Sequence, residues 1–263
     1  MVRLSFGLLE PGGLKRQLAA GEHTIGTFLG LASTLAAEVC AASGVDWVLV
    51  DLEHGSADEA MIGPIALAAA AYGVPTVVRV EVPERIRIGR ALDQGVDGIM
   101  LPRVESVDEV ERYLSYMNFP PHGVRGVATY NRAARWGLNP AAVMGSESEA
   151  ACIVQIETLS ALDSVEEIAA VQGVDLVFVG PLDLSFALGV PRQFDHPTYL
   201  DALDRVVRAA EKAGKPAGIL AADKSAGVKL AERGFRFIGV GSDSTVLSAG
   251  LRDAVDTLRD KRN

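Results

Sequence analysis

Cysteine, long apolar runs and an excess of basic charge are all scarce or missing in this sequence. Its 2 cysteines, Cys40 and Cys152, lie in apolar segments without CxxC spacing, which predicts free thiols in a reducing compartment. No apolar run approaches the ~18 residues of a membrane-spanning helix, and the stretch MVRLSFGLLEPGGL lacks the sustained apolar core of a signal peptide. We therefore expect a cytoplasmic protein with no membrane partner.

The charge balance limits the possible partners further. Asp and Glu outnumber Lys and Arg by 34 to 25, so the formal net charge is −9. Because binding to nucleic acid needs a clustered basic surface, we expect no nucleic-acid partner. Arg85, Arg87 and Arg90 could form one small basic patch, although a solvated helix face is the simpler interpretation. With 4 histidines, none at ligand spacing to cysteine, a structural zinc site is also disfavoured.

Short apolar segments alternate with helical patterns along the chain, which is typical of repeated βα units. Strands are predicted at 23–29, 46–51, 75–80, 97–101, 151–156, 175–179, 216–220 and 236–241, and helices near 33–43, 57–71, 84–94, 106–117, 160–171, 198–213, 224–233 and 245–259. This pattern predicts an α/β protein with one domain over residues 1–263, a (β/α)8 TIM barrel. An open doubly wound sheet is less favoured, because no dinucleotide fingerprint follows the first strand. Residues 118–150 are too long for a plain connection, which indicates a functional loop or a subunit contact.

Ionisable residues follow the strands at one end of the predicted barrel. In the clearest case, the segment VDWVLVDLEHG, an apolar run stops at Asp51, Glu53 and His54. Burying unpaired charge is costly, and the active site of such a barrel lies at the C-terminal ends of its strands, so we expect these groups at the mouth of a site. The other strand ends carry Arg79, Glu81, Gln155, Glu157, Asp183, Ser185, Ser242 and Asp243.

Glu157 and Asp183 end neighbouring strands and could face each other across the barrel mouth. Two carboxylates with open positions suit a hard divalent cation, Mg²⁺ or Mn²⁺, that keeps waters and accepts substrate oxygens. The alternative is a salt bridge to Arg79 or Arg103. The spacing alone leaves both interpretations open.

His54 and two glycine-containing segments also allow two interpretations each. His54, with Asp51 nearby, could be a general base, or it could be a helix-capping or hydrogen-bonded loop histidine. The loop 180–183 could aim N–H groups at an anion or form an ordinary turn, and the segment 239–242 could bind phosphate or form a tight turn. No lysine lies inside a predicted strand near its C-terminal end, so a Schiff-base nucleophile is disfavoured.

Together these segments resemble the HpcH/HpaI aldolases, metal-dependent pyruvate aldolases of the phosphoenolpyruvate/pyruvate barrel superfamily. The likeness covers roughly residues 20 to 255 and rests on several motifs in order. They are Asp51-x-Glu53-His54-Gly55, Pro120-Pro121-x-Gly123-x-Arg125-Gly126, Arg132-Ala133-Ala134-Arg135-Trp136-Gly137, Gln155-Ile156-Glu157, Gly180-Pro181-x-Asp183-Leu184-Ser185 and Gly239-Val240-Gly241-Ser242-Asp243.

The resemblance implies a carbon–carbon lyase, a class II aldolase of the 4-hydroxy-2-oxoheptanedioate or 2-dehydro-3-deoxyglucarate type. Such an enzyme reversibly cleaves 4-hydroxy-2-oxo acids to pyruvate, or a related 2-oxo acid, and an aldehyde. The family usually assembles as hexamers built from trimers and dimers, often with the last helix exchanged between neighbours. We therefore expect a homohexamer with small-molecule substrates.

The resemblance also assigns roles to individual residues. Glu157 and Asp183 would hold the divalent cation (Mg²⁺, Mn²⁺ or Co²⁺), and His54 would be the base. Arg79 would stabilise the enolate oxygen. Gln155 and the backbone at Leu182 would bind pyruvate, beside Asp183. Asp93 would be the carboxylate that raises the basicity of the histidine.

Asp93 poses a geometric problem for that role. It lies near the C-terminal end of the helix that follows Arg79, about ten residues or 15 Å back toward the bottom of the barrel. Its carboxylate is therefore not expected to reach His54 of the same chain, and we expect it to act on the site of a neighbouring subunit. The alternative is a surface aspartate near a helix C-terminus, which the helix dipole mildly disfavours.

Two positions depart from the family pattern, and two other function classes compete. Leu182 stands where close relatives often carry alanine, and Thr129-Tyr130-Asn131 replaces smaller residues, so these positions could shape the aldehyde side.

A citrate or malyl thioester lyase on the same barrel should carry basic residues near the mouth for the phosphates of the coenzyme. A non-catalytic binding barrel is the third possibility, against which the intact set of strand-end residues argues.

Overall fold

The computed structural model describes residues 13–139, 145 and 147–260. In this part of the chain eight parallel strands close into a barrel in sequence order, with the last strand pairing back to the first. The strands are β1 (Thr24–Leu29), β2 (Trp47–Asp51), β3 (Thr76–Arg79), β4 (Gly98–Leu101), β5 (Ala151–Ile156), β6 (Leu176–Val179), β7 (Ala217–Ala221) and β8 (Phe237–Ser242). Each overlaps a predicted strand, so the predicted (β/α)8 barrel is confirmed.

The helices differ from the prediction at three places. They are α1 (Gly13–Ala19), α2 (Thr34–Ala42), α3 (Glu59–Ala70), α4 (Arg85–Asp93), α5 (Val107–Met117), α6 (Leu159–Asp163), α7 (Val165–Ala170), α8 (Pro181–Ala187), α9 (Pro197–Lys212), α10 (Lys224–Arg233) and α11 (Asp243–Asp260). The helix predicted at 160–171 is wrong, because the backbone at Ser164 (φ −107, ψ 17) divides it into α6 and α7. The short helices α1 and α8 were not predicted; α8 starts with Pro181, which suits the first turn of a helix, where its missing N–H is not needed. None of the described helices is long and apolar enough to cross a membrane.

Aromatic and aliphatic side chains fill the inside of the barrel. Trp47 of β2 stacks on Phe237 of β8, with ring centroids 4.0 Å apart. Gly26 of β1 makes room for the indole, because a Cβ at that position would collide with it. At the bottom, Leu14 and Leu18 of α1, four residues apart, pack into the same cluster. The interior is therefore a packed core, and only the open end of the barrel is left for chemistry.

The bottom of the barrel is held by a repeated Gly-Val-Asp motif that precedes β2, β4 and β6. In each copy the aspartate accepts a hydrogen bond from a backbone N–H of the strand before it. Asp46 accepts from Ile25 at 2.8 Å, Asp97 from Thr76 at 2.9 Å and Asp175 from Cys152 at 2.8 Å. These carboxylates at the N-terminal ends of the strands are thus engaged in the fold.

Candidate active site

The centre of the barrel mouth is a buried pair formed by Asp51 and Arg79, which are register partners at the ends of β2 and β3. Arg79 donates from Nε to Asp51 Oδ1 at 2.9 Å and from Nη2 to Oδ2 at 2.7 Å, and its guanidinium lies over the ring of Phe28, 5.4 Å from the centroid. Burial opposes the charge on both groups, but their mutual hydrogen bonds and attraction outweigh it, so the pKa of Asp51 is lowered and the pKa of Arg79 is raised. Arg79 is therefore a fixed cationic donor at the mouth.

Glu53 and His54 lie in the bend that follows β2. Asp51 Oδ1 accepts hydrogen bonds from the N–H groups of both residues, at 3.1 and 3.2 Å, and these bonds shape the bend. Glu53 Oε2 lies 3.1 Å from Arg79 Nη1 and 4.0 Å from His54 Nε2. The imidazole is 66% exposed, and Asp58 rather than His54 caps α3. Asp51 thus holds the backbone of His54, and the ring is accessible to a substrate.

Gln155 and Glu157 form a second buried cluster at the end of β5. Gln155 Nε2 donates to Glu157 Oε2, and the backbone N–H of Arg103 donates to Glu157 Oε1 at 2.7 Å. Gly180, which follows β6, permits this packing, because a Cβ there would lie 2.7 Å from Gln155 Nε2 and closer still to the carboxylate. Among the described residues Glu157 is therefore held by an amide and a backbone N–H, and it forms no salt bridge with Arg79 or Arg103.

Leu182 and Asp183 occupy the first turn of α8, directly after Gly180. The loop predicted at 180–183 is thus the start of a helix. The side chains of Leu182 and Asp183 are exposed to solvent. Burial raises the pKa of Glu157, and the charge of Asp183 and then that of Glu53 raise it further. The pKa of Glu53 is also raised, by burial first, despite the nearby charge of Arg79. The carboxylates of Glu53, Glu157 and Asp183 therefore repel one another, and the positive charge of Arg79 does not fully offset this repulsion.

This donor set fits a divalent cation that keeps open coordination positions. Across residues 13–139, 145 and 147–260, no group of three or more His, Cys, Asp or Glu side chains is arranged to hold a metal ion. A site with two carboxylate ligands would leave the other coordination positions to water or substrate oxygens. The buried Oε1 of Gln155 has no hydrogen-bond partner in the described structure and is available to a water or ligand. These observations fit the two-carboxylate set predicted from Glu157 and Asp183.

Comparison with known proteins places this geometry in a family. Residues 24–249 match the sequence profile of HpcH/HpaI aldolase/citrate lyase. The chain belongs to this family. It is similar to a pyruvate aldolase from Rhizobium etli, with 40% identity over 236 residues that cover 90% of this chain and 93% of that protein.

Two further HpcH/HpaI relatives match over almost the whole chain. A hydroxypyruvate/pyruvate aldolase from Deinococcus radiodurans is 38% identical over 248 residues, 94% of this chain and 90% of that protein. The crystal structure of an HpcH/HpaI aldolase/citrate lyase family protein from Burkholderia cenocepacia superimposes with a TM-score of 0.90 at 37% identity, covering 94% of this chain and 99% of the other. The predicted family, barrel and carbon–carbon lyase class are therefore confirmed.

The HpcH/HpaI motif at β8 forms a tight turn and offers little to a phosphate. Asp243, the first residue of α11, accepts hydrogen bonds from the N–H groups of Gly30 at 2.8 Å and Leu31 at 3.2 Å. These N–H donors face a carboxylate, which would repel an anion. Of the two interpretations of the segment 239–242, the structure favours the turn.

Several other predicted groups are engaged away from the mouth cluster. Glu81 pairs with Arg87 at 3.0 Å on the surface, in agreement with a solvated helix face. Lys224 is exposed at the start of α10. Lys215, which precedes β7, donates to the carbonyl oxygen of Val171 at 2.7 Å. Neither lysine lies desolvated inside the barrel mouth.

Asp93 ends α4, at the bottom of the barrel. Its Oδ1 accepts from Arg125 Nη2 at 2.9 Å, and Arg132 Nη1 donates to the carbonyl oxygen of Gln94 at 2.7 Å. The motifs at 120–126 and 132–137 thus lie against the end of α4, and no hydrogen bond or ion pair in the described residues joins Asp93 to His54. Its action on a neighbouring subunit stays a prediction.

Sequence reasoning assigned no role to two residues of the mouth. Glu53 was named only as a strand-end charge, although it contacts Arg79 and contributes to the crowded carboxylates. The signal that could have identified Glu53 is its place in the segment DLEHG, among the ionisable residues that follow β2. Phe28, which packs under the guanidinium of Arg79, carried none, because an aromatic residue in a buried strand is equally typical of a core.

Proposed function

We propose that this chain reversibly cleaves 4-hydroxy-2-oxo acids to pyruvate, or a related 2-oxo acid, and an aldehyde. The observation that carries the proposal is the buried Arg79, fixed by Asp51 and Glu53 at the same barrel mouth as Glu157 and Asp183. A fixed cationic donor beside a set of hard oxygen ligands suits a 2-oxo acid, which carries a carboxylate and an adjacent keto oxygen. The similarity to a pyruvate aldolase at 40% identity supports the same substrate class.

We propose Glu157 and Asp183 as the protein ligands of Mg²⁺, Mn²⁺ or Co²⁺. When bound, such an ion supplies a Lewis acid that polarises the oxygens of the 2-oxo acid. Gln155, buried beside Glu157 with a free amide oxygen, would help to orient pyruvate. The backbone N–H of Leu182 lies in the first turn of α8, where N–H groups lack helical partners, and would donate to the substrate carboxylate.

The remaining groups of the chain account for the proton and the charge. His54, directly or through a water, takes the proton of the C4 hydroxyl. As that oxygen becomes the carbonyl of the aldehyde, the C3–C4 bond breaks and its electron pair forms the C2–C3 double bond, which leaves negative charge on the C2 oxygen. Arg79 donates to this oxygen, an interaction commonly worth about 2.7–4 kcal/mol in such sites. Proton transfer to C3 then yields pyruvate.

We also propose that the last helix is exchanged between copies of the chain, within the expected hexamer. Of the residues of α11 only Asp243 is buried. On the barrel, Ile25 of β1 and Leu35 and Val39 of α2 are exposed, so part of the barrel lacks a covering helix. Contiguous exposed apolar side chains mark interaction surfaces. Those on α11 are Val246, Leu247, Leu251, Val255 and Leu258.

The test of the proposed reaction is pyruvate release from a panel of 4-hydroxy-2-oxo acids. Pyruvate is measured by coupled reduction with lactate dehydrogenase, in the presence of Mg²⁺, Mn²⁺ or Co²⁺. We also propose a cytoplasmic location, which suits the free thiols of Cys40 and Cys152. Because these thiols can oxidise, the assay contains a reductant. We expect release from at least one member of the panel. No release from any member, or turnover of citryl or malyl thioesters instead, would contradict the proposal.

A further inference from the structure

Arg103 occupies an unusual backbone position next to the proposed ligand Glu157. It follows β4 with φ 50, in the left-handed region, and this turn directs its N–H to Glu157 Oε1 at 2.7 Å. Glycine adopts such a conformation without steric cost, whereas a residue with a long side chain is strained there. The hydrogen bond needs only the backbone, so it does not explain the arginine.

The side chain of Arg103 is exposed. Among the described residues its guanidinium forms no ion pair. Arg103 contacts Glu157 only through its backbone N–H. Arg87, by contrast, lies on the surface helix α4 and pairs with Glu81 and Glu59. Arg103 therefore has its backbone at the mouth, and the donors of its exposed guanidinium are available.

The charges around the mouth explain why a second cation matters. Asp51, Glu53, Glu157 and Asp183 carry four negative charges against the one positive charge of Arg79, which Asp51 and Glu53 already engage. A divalent cation and the carboxylate of a 2-oxo acid would leave this region negative. A second anionic group on the substrate would then be repelled unless a further cation met it.

We propose that Arg103 determines specificity by binding a carboxylate at the far end of the aldehyde portion of the substrate, so that the enzyme prefers dicarboxylic 4-hydroxy-2-oxo acids. The proposal rests on the proposed function, since it assumes that the 2-oxo acid end lies against Glu157 and Asp183. The arginine side chain spans about 6–7 Å from Cα to the guanidinium by standard bond lengths. From a backbone bonded to Glu157, this length is enough to bring the guanidinium to a substituent on C4 of a substrate bound at Glu157. Its planar fork suits a carboxylate.

The test compares two aldehydes in the synthesis direction with pyruvate. One is a four-carbon aldehyde with a terminal carboxylate, and the other is the uncharged four-carbon aldehyde. Arg103→Gln removes the charge and keeps the backbone N–H, and Arg103→Lys restores the charge without the fork. Arg192 supplies the matched control: it is also exposed with a left-handed backbone (φ 60), but its N–H bonds Ser185 Oγ and not a carboxylate. Calorimetric pyruvate binding checks that Glu157 stays in place.

We expect Arg103→Gln to lower kcat/KM for the carboxylate aldehyde about 10-fold or more, with kcat/KM for the uncharged aldehyde and the affinity for pyruvate unchanged. Arg103→Lys should recover part of the loss, and Arg192→Gln should behave as wild type. An equal effect on both aldehydes, no effect, or the loss of selectivity in Arg192→Gln would overturn the inference. If the wild type releases pyruvate from other 4-hydroxy-2-oxo acids but forms no product with the carboxylate aldehyde, the inference fails. No release from any member of the panel is the separate failure of the proposed function.

Discussion

Replacement of Asp51 by asparagine tests how far the stability and the activity of the protein depend on the contact between Asp51 and Arg79. Asp51 makes two charged contacts to the guanidinium, at 2.9 and 2.7 Å, and accepts the N–H groups of Glu53 and His54. Asparagine has nearly the same shape, but its NH₂ group cannot accept from an arginine or a backbone N–H. The variant therefore loses one guanidinium contact and leaves a buried cation less compensated.

The expected cost follows from this geometry. Removing one partner of a buried ion pair costs about 3–5 kcal/mol. Because Glu53 still lies 3.1 Å from Arg79 Nη1, we expect the lower part of that range, about 3–4 kcal/mol. For a chain of 263 residues this corresponds to a melting temperature lower by roughly 5–15 °C. Turnover should also fall, because the bend that carries His54 and the direction of Arg79 both depend on Asp51.

The loss of stability should depend on pH in a defined direction. Arg79 holds the pKa of Asp51 below its ordinary value of 3.8, so the ionised carboxylate stabilises the fold above about pH 4 and this contribution is lost as the pH falls through the lowered pKa. The difference between Asp51→Asn and wild type should therefore be full at pH 7 and shrink below about pH 4.

Denaturant unfolding of the wild type and Asp51→Asn at several pH values measures the predicted difference. Asp46→Asn is the matched control, since Asp46 also accepts a backbone N–H, from Ile25, but at the other end of the barrel and without an arginine. It should cost less than about 1 kcal/mol and keep wild-type turnover. An Asp51→Asn variant as stable and active as the wild type would refute the account of the pair.

Three further predictions concern the base, the nucleophile and the subunit contact. His54→Ala should lower turnover about 100-fold or more with pyruvate binding, measured by calorimetry, largely kept; near wild-type turnover would assign the base to another group. Borohydride with pyruvate should trap no covalent adduct by mass spectrometry, because no lysine lies desolvated at the mouth; a pyruvyl adduct on Lys224 would overturn this. Mixing inactive His54→Ala with inactive Asp93→Asn under subunit exchange should restore part of the activity, since Asp93 is predicted to serve a neighbouring site, and no recovery despite proven exchange would end that idea.

The barrel and the strand-end residues were predictable because parallel strands carry a strong signal. An apolar run that stops abruptly at ionisable residues, as at Asp51, identifies both a buried strand and its exit at the mouth. The repeated Gly-Val-Asp turns mark the opposite end in the same way. Gln155, Glu157 and Asp183 were found for this reason, and the structure brings Gln155 and Glu157 into direct contact.

The partners of these residues were not predictable from the sequence. Asp51 was named only as a residue near His54, a possible general base, but the register of β2 and β3 sets it opposite Arg79. The register between parallel strands cannot be derived from residue spacing within one segment. The helix α8 was missed because its seven residues are too few for a periodic pattern. The break at Ser164 has the same cause, since a single non-helical residue leaves the apolar pattern intact.

Proton exchange at the methyl group of pyruvate tests the central claim, that the mouth stabilises the enolate of pyruvate, without knowledge of the aldehyde. The ¹H signal of the methyl group is followed by NMR in D₂O with enzyme and Mg²⁺, Mn²⁺ or Co²⁺, after chelation, and with Glu157→Gln. We expect exchange that requires the cation and is lost in the variant. Equal exchange in the metal-free protein, or none in any sample of the active enzyme, would contradict the account.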